Sequence, residues 1–217
     1  MQPIRENDGH LRWLAALTCI VSLASLLLQY VILIRGTLDT VGPAFATVRF
    51  FSYFTILSNV LVVLVTSTAA ATTKAHAARF FARADVRGAA ALYIGVTGAI
   101  YFTILRHLWQ PQGAQWWADT GLHYATPLLY LAWWVLGASH GAVQWRDVAR
   151  WLLLPLAYLL WSFARGAWVH EYPYPFIDVD ALGWPSVLLN AAGVLLVFVA
   201  LGAILVAVDR QLRLRPA

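Results

Sequence analysis

The amino-acid sequence predicts an all-α membrane protein: one bundle of six transmembrane helices with both termini on the cytoplasmic side. Three observations carry that expectation. The 217 residues are 61% hydrophobic and only 12% charged, whereas a soluble domain carries about 25% charged residues. Six apolar runs approach the length of about 20 residues that a helix needs to cross hydrocarbon. The basic residues collect in alternate loops, as the positive-inside rule requires of a polytopic chain.

The first run, 13–34, is longer than the apolar core of a signal peptide, typically about 7–15 residues, and reads as a retained anchor. The others are 50–71, 89–109, 122–138, 151–168 and 185–208. Short loops join them, so residues 1–217 form a single domain. With the N-terminus inside, the inner side holds Arg5, Arg12, Lys74, Arg79, Arg83, Arg87, Arg146, Arg150, Arg210, Arg213 and Arg215. The outer side holds only Arg35, Arg49, Arg106 and Arg165. Eleven against four sets the orientation in the cytoplasmic membrane. Trp109, Trp116, Trp117, Trp168 and Trp184 fall at outer helix ends, and Trp13, Trp145 and Trp151 at inner ones, which is the aromatic belt of headgroup depth. The segment KAHAARFFARADVRG, 74–88, reads either as a solvated basic loop or as a short amphipathic helix on the inner surface. Arginine makes up 14 of the 15 basic residues, a composition that suggests a GC-rich bacterial genome.

Several classes are excluded. The one cysteine, Cys19, allows no disulfide framework and no cysteine metal site. No basic stripe interleaved with aromatics marks a nucleic-acid partner. The G-A-S-H-G string at 137–141 has the G-x-S-x-G spacing but falls in an inner loop and reads as a turn rather than a nucleophile elbow, and there is no H-E-x-x-H pair. No metal or cofactor is expected.

The second run, RFFSYFTILSNVLVVLV, breaks its own apolarity. Read as one continuous helix, it puts Arg49, Ser52, Thr55, Asn59 and Thr66 on one face, with Ser58 at the edge. Polar groups turned to lipid lose their partners, so this stripe should face other helices or a cavity. Near the same depth lie Arg106 and His107 at the end of the third run and His123 at the start of the fourth. Arg165 falls in the fifth run, and the loop HEYPYPFIDVDALGWP joins the fifth run to the sixth. Ionisable groups within a membrane mark candidate functional sites. Their convergence predicts a pocket in the outer half.

Thr55 and His123 form the minimal nucleophile–base pair if they meet. Asn59, with Ser58 beside it, is the candidate donor to an oxyanion. Arg106, Arg165, Arg49 and His107 are candidates to hold an anionic end of a lipid. Tyr172 and Asp178 of the fifth-to-sixth loop are candidates to order a cap or to orient His123. The bland alternatives are a threonine bonded to its own helix, a histidine at an interface, and an asparagine joining helices. Two other functions compete. One is binding or transport of an amphiphile without chemistry. The other is a b-type haem held by His107 and His123, although His10, His76 and His140 fall in loops or tails and supply no second, inner pair. Oligomeric state is not legible.

FFSYFTILSN, LRHLWQ…HYATPLLYLAWW and FARG…YPYPFIDVDALGW resemble a family of bacterial six-helix membrane proteins through T-x-x-S-N, H-x-x-x-P and YPYPF-x-D. That family is distantly similar to the androgen-induced membrane proteins of animals, integral-membrane hydrolases of fatty acid esters of hydroxy fatty acids. The resemblance runs from the second span to the sixth. It implies a six-helix fold, a threonine nucleophile at Thr55 and a histidine at His123, with a membrane lipid or other amphiphile as substrate.

Overall fold

The computed structural model describes residues 9–71, 76–137 and 140–213. Arg5, Lys74 and Arg215 of the charge argument, and Ala138 at the end of the fourth run, lie outside the described residues. The described chain is helical, with no strand. Ten α-helices follow in order: α1 (Gly9–Thr37), α2 (Gly42–Phe51), α3 (Phe54–Ala71), α4 (His76–Phe81), α5 (Ala84–Thr103), α6 (Ala114–Thr120), α7 (Thr126–Gly137), α8 (Trp145–Trp151), α9 (Leu153–Val169) and α10 (Val179–Arg213).

Among the described residues, five segments are long and apolar enough to cross a membrane: Gly9–Thr37, Phe54–Ala71, Ala84–His107, Trp145–Val169 and Val179–Arg213. Their outward faces carry large apolar side chains such as Leu17, Ile20, Leu27, Leu160, Leu188, Leu189 and Leu196. That much exposed hydrocarbon on one chain is the surface of a membrane protein. α5 lies at the centre, against α3, α7 and α10, and α1 packs on α2, α3, α6 and α7. α5 brings small and medium side chains to this core, with Ala90, Ala91, Leu92 and Ile94 almost fully buried.

Three of the expected runs are built differently. The second is not one helix. α2 ends at Phe51 and α3 begins at Phe54, with no proline or glycine between them. The break is held from α9: Tyr158 donates to the Ser52 carbonyl at 3.0 Å, and Trp161 Nε1 donates to Ser52 Oγ at 3.1 Å. A backbone carbonyl freed inside an apolar bundle needs such a partner. Thr55 therefore stands at the start of a helix rather than six residues inside one.

The fourth run starts earlier than expected. α6 continues through a π-helical turn, Gly121–Ala125, into α7. Pro127 stands four residues after His123 and has no N–H to bond the His123 carbonyl, so the α-helical ladder cannot be complete there. Gly121 lets α1 approach, because a Cβ at that position would lie 1.9 Å from Ser25 Oγ. His123 thus sits within a continuous helical segment rather than at its outer tip.

The third run ends at Thr103, and Leu105–His107 form one 3₁₀ turn. The sixth span is kinked at Gly183, whose φ of 72° lies in the left-handed region that glycine enters freely. Within 74–88, residues His76–Phe81 form a short helix.

Candidate active site

Thr55 is the second residue of α3, so its N–H has no partner within the helix. It donates instead to the phenol oxygen of Tyr174 at 3.2 Å. The Tyr174 hydroxyl also lies 3.2 Å from Thr55 Oγ1. On its other side, Thr55 Oγ1 lies 3.3 Å from His123 Nε2. His123 Nδ1 faces two oxygens of Asp119, the backbone carbonyl at 3.1 Å and carboxylate Oδ1 at 3.2 Å. Two acceptors on Nδ1 assign the ring proton to that nitrogen. Nε2 then carries the lone pair and accepts the threonine hydroxyl, while Tyr174 donates to Oγ1.

Asp119 is 3% exposed, and its other carboxylate oxygen accepts a short hydrogen bond from the Tyr101 hydroxyl. The Tyr101 ring stacks on the His123 imidazole, with centroids 3.9 Å apart and planes 15° from parallel. Ring orientation and tautomer are therefore both held from outside, as a base requires. Tyr174 lies in the loop between α9 and α10 and stacks on Phe176. Burial pushes its phenol above the ordinary range, ahead of the opposing pull of its Thr55 hydrogen bonds. The hydroxyl consequently stays protonated and remains a donor.

The remaining candidates are placed elsewhere or engaged otherwise. Asn59 is fully buried, but its amide donates to Thr55 O at 2.8 Å and Leu122 O at 3.3 Å, and its oxygen accepts from Ser22. Both amide hydrogens are used, so Asn59 ties α3 to the π turn and to α1 and has none left for an oxyanion. Ser58 joins the Thr55 carbonyl to Thr97 of α5. Arg165, 6% exposed, donates to the Glu171 carbonyl at 3.0 Å and to its carboxylate at 2.9 Å. Arg49 meets the same carboxylate at 3.5 Å. These two arginines pin the α9–α10 loop. Arg106 is exposed, lies over the Phe102 ring and donates to His107. Tyr172 packs on Gly166, where a Cβ would come within 2.1 Å of its ring. Asp178 accepts from the Ala181 N–H and caps α10, and His123 is oriented by Asp119 instead. Both ring nitrogens of His123 meet oxygen partners, which disfavours a haem ligand role shared with His107. Among the described residues, no group of three or more His, Cys, Asp or Glu side chains could hold a metal ion.

Asp119, Tyr101 and Tyr174 are the residues that sequence reasoning missed. Asp119 and His123 are four apart, the spacing of neighbours on one helix face. That signal was hidden because the fourth run was begun at 122. Tyr174 alternates with Tyr172 in YPYPF, and nothing local distinguishes the two.

Two cavities meet at Thr55. One, of about 190 Å³, lies between α3, α5, α9 and α10 and is almost wholly apolar. The other, of about 360 Å³, runs past His123 and Asp119 toward α1 and α6. Both include Thr55, Leu105 and Tyr174 in their walls. Comparison of the chain with protein-family models, curated proteins and solved structures finds no match.

Proposed function

We propose that the protein is an intramembrane hydrolase of a lipid ester, with Thr55 as nucleophile. One observation carries this reading: at the junction of two cavities the Thr55 hydroxyl meets His123 Nε2, whose Nδ1 bonds the Asp119 backbone carbonyl and lies 3.2 Å from its carboxylate. Threonines inside a helix commonly bond their own i−4 carbonyl, as Thr18, Thr37 and Thr66 do at 2.7 Å. Thr55, second in α3, has no preceding turn to bond, and its hydroxyl turns to His123 and Tyr174 instead.

The chemistry follows from the atoms present. Oγ1 attacks the ester carbonyl carbon as His123 Nε2 takes its proton. Asp119 stabilises the imidazolium through Nδ1–H. The negative charge on the carbonyl oxygen develops beside the N-terminus of α3, where the helix dipole is positive. Tyr174 O–H and Thr55 N–H are the available donors, once substrate displaces their bond to each other. The C–O bond to the alcohol then breaks, His123 returns its proton to the leaving oxygen, and the acyl group remains on Thr55. Water, or a second alcohol in acyl transfer, attacks the acyl carbon with His123 again as base, the bond from that carbon to Thr55 Oγ1 breaks, and His123 returns the proton to Oγ1.

The eleven-to-four asymmetry of basic residues and the helical run through α6, the π turn and α7 support six spans with both termini cytoplasmic. That topology puts Thr55 in the outer half of the cytoplasmic membrane. The family resemblance at T-x-x-S-N and H-x-x-x-P supports the same two residues.

A fluorophosphonate probe tests the reading on purified protein. Wild type is expected to label at Thr55, and Thr55→Ala to lose both labelling and ester turnover while keeping its melting temperature. Labelling that persists in Thr55→Ala, or turnover that survives it, would overturn the assignment.

A further inference from the structure

We propose, resting on that reading, that the two cavities divide the ester: the acyl chain in the apolar arm and an uncharged, hydrogen-bonding alcohol in the other. The assignment of arms follows from proton transfer. His123 must protonate the departing oxygen, so the leaving group lies on the His123 side. His123 and Asp119 line only the larger arm, which leaves the acyl chain to the arm walled by Val96, Ile100, Leu156, Ala191, Leu195 and Phe198. That wall is hydrocarbon, and burying a methylene against it gains about 0.8 kcal/mol.

The chemistry of the alcohol follows from what lines its arm. Gln29 of α1 and Gln115 of α6 face each other there, with Gln115 Nε2 donating to Gln29 Oε1 at 2.6 Å and the reverse bond at 3.5 Å. This reciprocal pair uses one N–H and one oxygen lone pair from each amide. One N–H and one lone pair on each are left for a ligand. Among the described residues, no lysine or arginine lines this arm, and Asp119 is part of its wall. Arg49 and Arg165 are held by Glu171, and Arg106, the remaining candidate for an acid, lies exposed over the Phe102 ring and outside the wall of this arm. An anionic leaving group would enter a low-dielectric arm beside a like charge with no counter-ion, which is unfavourable. A glycerol-like alcohol presents hydroxyls that both donate and accept, as two glutamines require. The substrate class is therefore a neutral acylglycerol-type ester. An ester whose alcohol carries a carboxylate or a phosphate does not fit.

The test uses the full chain in detergent micelles with three esters of one hexadecanoyl chain: 1-hexadecanoylglycerol, the hexadecanoyl ester of a hydroxyoctadecanoic acid, and 1-hexadecanoylglycerol 3-phosphate. The glycerol ester is expected to exceed both anionic esters in kcat/KM by at least about tenfold, the equivalent of about 1.4 kcal/mol. Gln115→Lys is expected to narrow or reverse that preference by supplying the missing cation. Ala191→Trp, which intrudes on the acyl arm, is expected to lower the ratio of hexadecanoyl to butanoyl ester turnover. Preference for either anionic ester in wild type, or an unchanged chain-length ratio in a well-folded Ala191→Trp, overturns the division. If no ester shows Thr55-dependent turnover, the hydrolase reading fails as well, and the Thr55→Ala control separates that result from failure of the division alone.

Discussion

His123–Asp119 and His140–Asp209 are the same two side-chain types at nearly the same separation, 3.2 Å and 3.1 Å from Nδ1 to a carboxylate oxygen. They occupy opposite ends of the bundle. α10 starts beside the Tyr174 loop and carries Asp209 to the far end. There, Asp209 accepts the N–H groups of Gly141 and Val143 at 2.8 and 3.1 Å, and His140 Nε2 faces the Val135 carbonyl at 3.1 Å. Every atom of that pair holds down the chain between α7 and α8. At the other end, Nε2 meets a hydroxyl that opens on two cavities, and the carboxylate is fixed by a tyrosine rather than by backbone. A histidine–aspartate pair is thus not a site by itself. What faces the far nitrogen decides whether the pair supports the fold or can move a proton.

Substitutions at the two ends should separate these roles, and the largest effect belongs to His123. His123→Gln is expected to lower ester turnover by at least about 10⁴-fold, the scale on which triad histidines act, with the melting temperature retained. The matched His140→Gln is expected to leave kcat/KM within about twofold, since surface or structural changes away from a site act on stability. Equal loss of turnover in the two variants would erase the distinction between the pairs.

Asp119→Asn comes next. It keeps the shape but presents an amide to Nδ1, which favours the wrong tautomer and should reduce kcat by about 10²–10⁴-fold. Asp209→Asn, its counterpart, should leave kcat unchanged and lower unfolding stability by about 2 kcal/mol, because Oδ2 accepts both N–H groups and an amide that keeps its oxygen there turns its NH2 against His140 Nδ1. Thermal or denaturant unfolding alongside the kinetic assay reads both outcomes.

Tyr174→Phe removes one donor from the developing oxyanion and should lower kcat by about 10²-fold with little change in KM. A change confined to KM would make Tyr174 a wall of the cavity only. The smallest expected effect is that of Tyr101→Phe. It keeps the ring stacked on His123 and removes only the bond to Asp119, worth about 1 kcal/mol or about fivefold in kcat.

Two members of the candidate site were legible in residue type. Thr55 and His123 stood out because polar groups inside apolar runs need partners. The apolar runs fell on helical segments, but the second was split at Ser52, the fourth began in α6, and the ends of the third and sixth were displaced. The arginines misled for a physical reason. A cation near a membrane pocket could serve a ligand or a carboxylate of its own chain, and only the fold put Glu171 between Arg49 and Arg165. Asn59 misled likewise, because a buried amide must be satisfied, and here the π turn and α1 satisfy it.

By itself, the sequence determined that the chain is a membrane protein and that it is helical. Those are consequences of composition and of the cost of unpaired polar groups in hydrocarbon, and they need no knowledge of neighbours. The tertiary structure decided where the helices break and which groups then meet. Ser52 ends a helix because Tyr158 and Trp161 of α9 are there to bond it, and nothing in residues 49–56 announces a break. Tyr174 rather than Tyr172 reaches Thr55 because Tyr172 is seated on Gly166, in contacts that join segments more than a hundred residues from Thr55. Long-range partners are set by packing, and packing is the one term that a local pattern of residues does not contain.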